Sequence, residues 1–430
     1  MTLEDSLALF ARVENTPFAG GDFVHVNAGF PVVGVIVTDE GLVLFDIGLE
    51  AFDQALFKLV REISDKPIKY LVYSHGHFDH CFGITPFLDE IKEKGWEMPI
   101  VIAHERLIDR FEKYTILNEY HEWINRMQFS SLIKGKTGSI VAAETALRPT
   151  VIVKANETYT FKLGKYTFEL YTEMGETDDA IWMHVPEKKV IFAGDLVVSS
   201  FPNIGNPYKV QRYPKHWARA MEHMLEKDAD FLVPGHGLLI EGADAVKERL
   251  SIIAEAMHFV HDEVVKRMNQ GKWFEEIYHE MLDIFPDKFK QSESLRPIYG
   301  CYEFAIHAVH RLYHGWYNSG NPTDLFPSKQ KDIAKEMMKV IGDGCEQKII
   351  DNSTRLLDEG KEQMAMHVVD ILINGIESEK ENFLEKAYKV KVKAMTRKAK
   401  KEGSFIARNI LRSGLKELKK ERKQRLKKSE

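Results

Sequence analysis

The chain has 430 residues, 44% of them hydrophobic and 29% charged. That composition excludes collagen-like and disordered classes, and at about 100 to 200 residues per domain the length excludes a single small module and points to two or three domains. The 59 Lys+Arg against 65 Asp+Glu give a net charge of −6, but residues 386 to 430 hold 18 against 4, leaving 41 against 61, or −20, for the rest.

Cys81, Cys301 and Cys345 are too few and too scattered for a disulfide framework or a CxxC metal knuckle, and they suit a reducing compartment. The start, Met1-Thr2-Leu3-Glu4-Asp5, has neither the basic opening nor the apolar run of a signal peptide. No stretch of about 18 uncharged apolar residues follows, so the expectation is a cytoplasmic protein.

In chain order, Val32 to Val37 and Leu42 to Asp46 read as two strands of a hairpin across Asp39-Glu40-Gly41. An amphipathic helix follows from Phe52 to Ile63, then a buried strand, Tyr70 to Tyr73, a histidine-dense loop and a helical stretch containing Phe87 to Ile91. The segment from there to residue 150 reads as loop-rich. Thr150 to Val153, Tyr159 to Leu163, Tyr166 to Tyr171, Ile181 to Val185 and Val190 to Ala193 repeat the short-strand pattern and predict a second sheet. Phe231 to Val233 is a last strand running into the turn Pro234-Gly235-His236-Gly237. Helices dominate beyond about residue 240: Ala243 to Met268, Tyr302 to Tyr317, Ser328 to Ile341, and a basic amphipathic helix carrying Ile406, Ile410, Leu411, Leu415 and Leu418. There is no clear internal repeat.

The strongest chemical signal is Ser74-His75-Gly76-His77-Phe78-Asp79-His80, an HxHxDH pattern directly after a predicted strand. Residues two apart in extended chain point the same way, roughly 6 to 7 Å apart, so His75 and His77 can converge on one metal ion. Asp79 and His80 fall where the chain curls into a helix and can turn toward a second. Two ions about 3.5 to 4 Å apart can share a bridging water and clamp attacking and leaving oxygens. Imidazole and carboxylate donors favour zinc, although manganese and iron accept the same donor types.

With these residues the sequence resembles the metallo-β-lactamase superfamily, which implies an αββα sandwich with a metal centre at one edge. That family completes its centre with a Gly-His-Thr turn, an aspartate after a strand and a Gly-His turn. The last two match Asp195, in Phe192-Ala193-Gly194-Asp195, and His236. The first reads Gly175-Glu176-Thr177-Asp178 here, and glutamate in that position is similar to the alkylsulfatase branch. Leu295 to Gly300, the helix from Tyr302, Leu312 to Tyr317 and Gly320-Asn321-Pro322 resemble the helical dimerisation region of class III alkylsulfatases. The resemblance implies a catalytic domain over 1–241, a helical dimerisation-type domain over 242–330, a helical basic region over 331–430, and a homodimer. It departs from the branch in three places: Asp195 stands where that branch usually has glutamate, an arginine expected soon afterwards is replaced by Asn203 to Tyr208, and the basic helix stands where a sterol-carrier-like domain is expected.

The implied ligand set is His75, His77 and Glu176 for one ion, Asp79, His80 and His236 for the other, and Asp195 bridging, with Asp79 and Asp195 the acids closest to the chemistry. Asp46, ending its strand, is expected to orient a metal-bound imidazole from behind. Two Zn²⁺ with a hydroxide and two carboxylates sum to +1; a third carboxylate, Glu176, brings zero, so Lys or Arg is needed to hold an anion. The candidates are Lys209 and Arg212, and after them Arg126 with Tyr114. His216, His258, His261 and His307, in predicted helices, are read as packing or surface residues.

The implied function is a dinuclear zinc hydrolase cleaving a sulfate ester, or a related anionic ester of an apolar alcohol, with a metal-bound hydroxide. Hydrolysis of a thioester, lactone or phosphodiester on the same centre is the alternative, as is a non-catalytic scaffold. The basic helix fits nucleic acid, an anionic membrane or the acidic remainder of an oligomer, and the last needs the fewest assumptions. No nucleic-acid-binding motif supports the first, and the HExxH and GxxxxGK[ST] patterns are absent.

Overall fold

The computed structural model describes residues 12–129, 146–376 and 380–427. These divide into two compact units, one over 12–122 and 146–318, the other over 123–129 and 319–427.

The first unit opens with β1 (Val13–Phe18), β2 (Phe23–Ala28), β3 (Val32–Val37) and β4 (Leu42–Phe45), paired antiparallel in that order. Thr38 closes the predicted hairpin: its Oγ1 donates to Gly41 O at 2.8 Å and accepts from the Glu40 and Gly41 N–H groups. Beyond β4 the sheet turns parallel and each return needs a crossover. The crossovers are α1 (Asp53–Ile63) before β5 (Ile68–Val72), α2 (Phe78–Cys81) and α3 (Thr85–Lys94) before β6 (Ile100–His104), and α4 (Leu107–Ile116) and α5 (Asn118–Phe129) before β7 (Val151–Val153). The sheet order is β1 to β7 in sequence.

The second sheet runs β13-β12-β11-β10-β9-β8. Strands β8 (Thr158–Leu163), β9 (Tyr166–Glu173), β10 (Ala180–Val185) and β11 (Val190–Val198) form an antiparallel meander. Helix α6 (Pro214–Leu225) then returns the chain to β12 (Phe231–His236), parallel to β11, with β13 (Ile240–Glu241) at the edge. Buried and half-buried residues alternate along β9, whereas β10 and β11 are buried throughout, because helices cover the other face of those central strands.

Three apolar layers make the sandwich. Phe23, Phe45 and Val72 of the first sheet meet Phe168, Met183 and Phe192 of the second between the sheets. Val35 and Leu71 face α1, α3 and α4 through Leu56, Phe87 and Phe111. Trp182 and Leu232 face α6, α7 (Ala243–Asn269), α8 (Phe274–Ile284) and α10 (Tyr302–Tyr313) through Trp217, Met257, Ile277 and Ile306, with the short α9 (Asp287–Lys290) adding Phe289. At roughly 1.5 to 3 kcal/mol per buried large apolar side chain, this packing is what the alternating strand pattern encodes. The architecture is the expected αββα sandwich followed by an all-helical region.

Three local expectations need correction. The stretch before residue 150 is not loop-rich over its described part: α4 and α5 occupy 107–129, with Leu107, Phe111 and Tyr114 buried at helical spacing beneath a charged outer face. Strands β1, β2 and β6 were not foreseen; the first two carry Glu14, Asn15 and His25 among their apolar residues. Helix α10 stops at Tyr313 rather than Tyr317; His314 is extended, and Gly315 follows it.

The second unit is a helical bundle of α11 (Gln330–Ile341), α12 (Cys345–Asp358), α13 (Glu362–Gly375), α14 (Glu381–Lys401) and α15 (Phe405–Lys427). Its core holds Ile349, Val369, Leu372, Leu384, Tyr388 and Leu418. Part of the basic charge is used inside the bundle, in Lys391–Asp370 at 2.5 Å, Lys401–Glu362 at 2.5 Å and Arg422–Glu385 at 3.1 Å. No helix among the described residues is long and apolar enough to cross a membrane.

Candidate metal centre

The centre is assembled where parallel strand pairs of both sheets end. In the first sheet β4 and β5 run side by side, so Asp46 after β4 lies against Ser74 after β5. Asp46 Oδ1 accepts from Ser74 N, and Oδ2 accepts from Ser74 Oγ, each at 2.7 Å. Asp46 takes a left-handed backbone, φ +66°, to point back into the site. In the second sheet β11 and β12 are parallel with irregular register around Gly194. A β-bulge of this kind re-aims a side chain, here Asp195, toward His236. Gly235 is required beside it, because a Cβ there would sit 2.1 Å from Asp195 Oδ1.

Two groups of possible ligand atoms result, each within 4.8 Å: His75, His77 and Asp195, and Asp79, His80 and His236. In the first, His75 Nε2 lies 2.7 Å from His77 Nδ1 and 3.8 Å from Asp195 Oδ2. In the second, His236 Nε2 lies 3.5 Å from Asp79 Oδ2, and His80 Nε2 lies 3.8 Å from the same oxygen. Asp195 Oδ1 faces both His80 and His236 at 3.3 Å, so this carboxylate stands between the groups, as a bridging ligand must. Behind the rings, His80 Nδ1 meets Asp46 Oδ2 at 2.8 Å, His236 Nδ1 meets Phe30 O at 2.9 Å, and His75 Nδ1 meets Ser74 Oγ at 2.9 Å.

The donors fit divalent cations. His80 Nε2, Asp195 Oδ1 and Glu176 Oε2 are buried with no hydrogen-bond partner, an arrangement that is costly unless a cation fills it. Burial and the neighbouring His80 push the His75 imidazole down to about 3, and burial, then His75, holds His77 well below its ordinary range; neutral imidazole is the ligating form. Burial opposes charge on Asp195, yet His236 and His80 hold its carboxyl well below the usual range.

The remaining predicted residues fall in different places. Glu176 is outside the two tight groups but lines one small cavity with His75 and Asp195. Asn203 Nδ2 donates to its Oε1 at 2.8 Å and Arg212 Nη1 donates to the same oxygen, so Arg212, read from sequence as an anion holder, binds a carboxylate of the protein itself. Lys209 is half-buried; burial and Arg212 push its ammonium down to about 7, with Asp79 and Glu176 pulling the other way. Tyr114 is buried on α4, packed against Phe82 and His121. Arg126 is exposed on the part of α5 that belongs to the second unit.

Sequence reasoning missed several neighbours. Asp179 Oδ2 accepts from Gly76 N at 2.9 Å, and Arg110 Nε donates to Asp179 Oδ1 at 3.0 Å, together fixing the histidine loop. Tyr299 also lies close, its hydroxyl pushed up by burial and then by Glu176 and Asp79. Asp179 follows Glu176-Thr177-Asp178 directly and had a local signal; Arg110, Asn203 and Tyr299 had none.

Comparison with known proteins agrees with this geometry. Residues 26–236 match the metallo-beta-lactamase superfamily, and residues 274–421 match the region described as alkyl sulfatase dimerisation. Over residues 26–236 the chain is similar to the metallo-β-lactamase superfamily and has its fold. It is 27% identical over 325 residues to a linear primary-alkylsulfatase of a Pseudomonas species, covering 72% of this chain and 60% of that one. It is 24% identical over 328 residues to an alkyl/aryl-sulfatase of Saccharomyces cerevisiae, covering 72% and 50%. The chain thus spans about half to three-fifths of the length of these curated relatives. The solved structure of a stereoselective inverting sec-alkylsulfatase from Pseudomonas superposes with a TM-score of 0.78 at 21% identity, over 92% of this chain and 64% of the other, a likeness of fold.

Proposed function

We propose that this protein is a two-metal hydrolase that cleaves a sulfate ester of an apolar alcohol and works as a homodimer. The observation that carries the reading is the occurrence in one chain of the two ligand groups joined by Asp195 with a match to the alkyl sulfatase dimerisation region. Two bound divalent ions, zinc being favoured by the donor set, would supply Lewis acidity and bring the pKa of water toward about 7. His75, His77 and Glu176 would hold one, Asp79, His80 and His236 the other, with Asp195 shared. Asp46 keeps His80 turned so that Nε2 faces inward, and the Phe30 carbonyl does the same for His236. Lys209 is the cation assigned to the sulfate group.

A second reading, hydrolysis of a thioester, lactone or phosphodiester, is favoured by one observation: Arg212 is already bound to Glu176 and leaves the anion site less basic than an alkylsulfatase would want. A substrate panel of alkyl sulfates, p-nitrophenyl sulfate, a lactone, a thioester and a phosphodiester separates the two. Sulfate release from the alkyl sulfates, lost by at least about a thousandfold in His77→Ala, is the expected result. Turnover of the other esters with no sulfate released overturns the proposal.

A further inference from the structure

Glu176 is held differently from the other acids of the centre. Its Oε1 is saturated, taking hydrogen bonds from Asn203 Nδ2 at 2.8 Å and from Arg212 Nη1, and that same nitrogen also donates to the Asn203 main-chain oxygen. The Glu176 and Arg212 side chains are only 5% and 3% exposed. Its Oε2 is buried, meets no donor, and belongs to a side chain that lines the cavity containing His75 and Asp195.

A buried carboxylate would ordinarily satisfy both oxygens, since an unpaired one bears its desolvation cost uncompensated. One saturated and one bare oxygen is the arrangement that offers a single donor atom to a cation. Arg212 also sets a positive charge against this third carboxylate of the centre. A guanidinium suits this task because its fork is rigid and it stays charged when buried.

We infer that Arg212 and Asn203 are positioning residues that turn Glu176 so that only Oε2 is presented to the ion of the His75–His77 group. The assignment rests on the two-metal reading but not on which ester is cleaved. It also replaces the role expected for Arg212 from sequence: its partner is a carboxylate of the centre rather than the substrate.

The test measures metal binding without any ester. The full chain, stripped of metal, is titrated with Zn²⁺ against a chromophoric chelator, and Co²⁺ is used to read ligand geometry from its visible spectrum. The wild type is expected to take two equivalents. Arg212→Met should weaken one of the two about ten- to hundredfold, leave the other unchanged and alter the Co²⁺ spectrum, with Arg212→Lys and Asn203→Ala producing smaller losses at the same ion. Wild-type affinity at both ions with an unaltered spectrum in Arg212→Met overturns the inference. Should that variant fail to fold by circular dichroism, unchanged binding in both Arg212→Lys and Asn203→Ala overturns it equally. A wild type that binds no metal removes the two-metal reading itself, whereas failure of the sulfate ester alone leaves these measurements standing.

Discussion

The two halves of the centre are built to different degrees of rigidity. Around Asp79, His80 and His236 every imidazole is braced from behind: His80 by a carboxylate at 2.8 Å, His236 by a main-chain carbonyl at 2.9 Å. His80 is fully buried. Around His75 and His77 the bracing is a relay, Asp46 to Ser74 to His75, and half-buried His77 rests on its neighbour's ring. The firmer half stands on the short helix α2 and the end of β12, and the looser half on the loop between β5 and α2. A ligand held by a strand end inherits the sheet's rigidity; one held by a loop needs a clamp, which is the service Arg110, Asp179 and Arg212 perform.

That contrast can be broken by substitution. The largest effect is expected from Asp46→Asn, which keeps a side chain tolerant of the left-handed backbone but removes the charge that orients His80. Binding at the Asp79–His80–His236 group should fall about ten- to hundredfold, and by less at the other group, in the same chelator titration. Equal losses at both would mean the halves are not separately braced. Ser74→Ala should be milder, about 1 kcal/mol or roughly fivefold, and felt first at His75, because only the relay is cut. A larger effect at His80 than at His75 would contradict the relay.

The smallest effect serves as a control away from the centre. His310 on α10 is 2% exposed, and burial, then His314 and His307, push its imidazole down to about 4. An unfolded histidine titrates near 6.5, so between these values the unfolded chain takes up the proton first. Its contribution to stability is therefore complete above pH 6.5 and is lost as pH falls toward 4. His310→Phe should flatten that part of a denaturation series run from pH 7 to 5 while leaving metal affinity alone. An unchanged slope would show that the acid sensitivity arises elsewhere.

Much of the centre was legible in one dimension because its ligands sit in short, chemically loaded turns. HxHxDH after β5 announces itself by residue type and by the apolar run before it, while Asp195 within β11 and Gly235-His236 ending β12 were legible by their match to the turns of the resembled family. Glu176 was legible only through resemblance, since a glutamate in a Gly-Glu-Thr-Asp turn has no local mark of a ligand. The helices at 107–129 were hidden by charges on their outer faces. Arg212 shows the limit most plainly: a basic residue soon after Asp195 is visible in the sequence, but whether it meets a substrate or Glu176 depends on how the loop after β11 folds back.

The run of short strands in the first half, the helices beyond about residue 240 and the HxHxDH donors were determined by the chain alone, because periodicity and donor chemistry are local properties. Which atoms face one another was decided only by tertiary structure. Asp195 comes between two imidazoles through the bulge against β12, Asp46 reaches His80 across a parallel strand pair, and Arg212 closes on Glu176 from 36 positions away. Such contacts depend on packing distances between segments remote in sequence, and no spacing along a single segment encodes them.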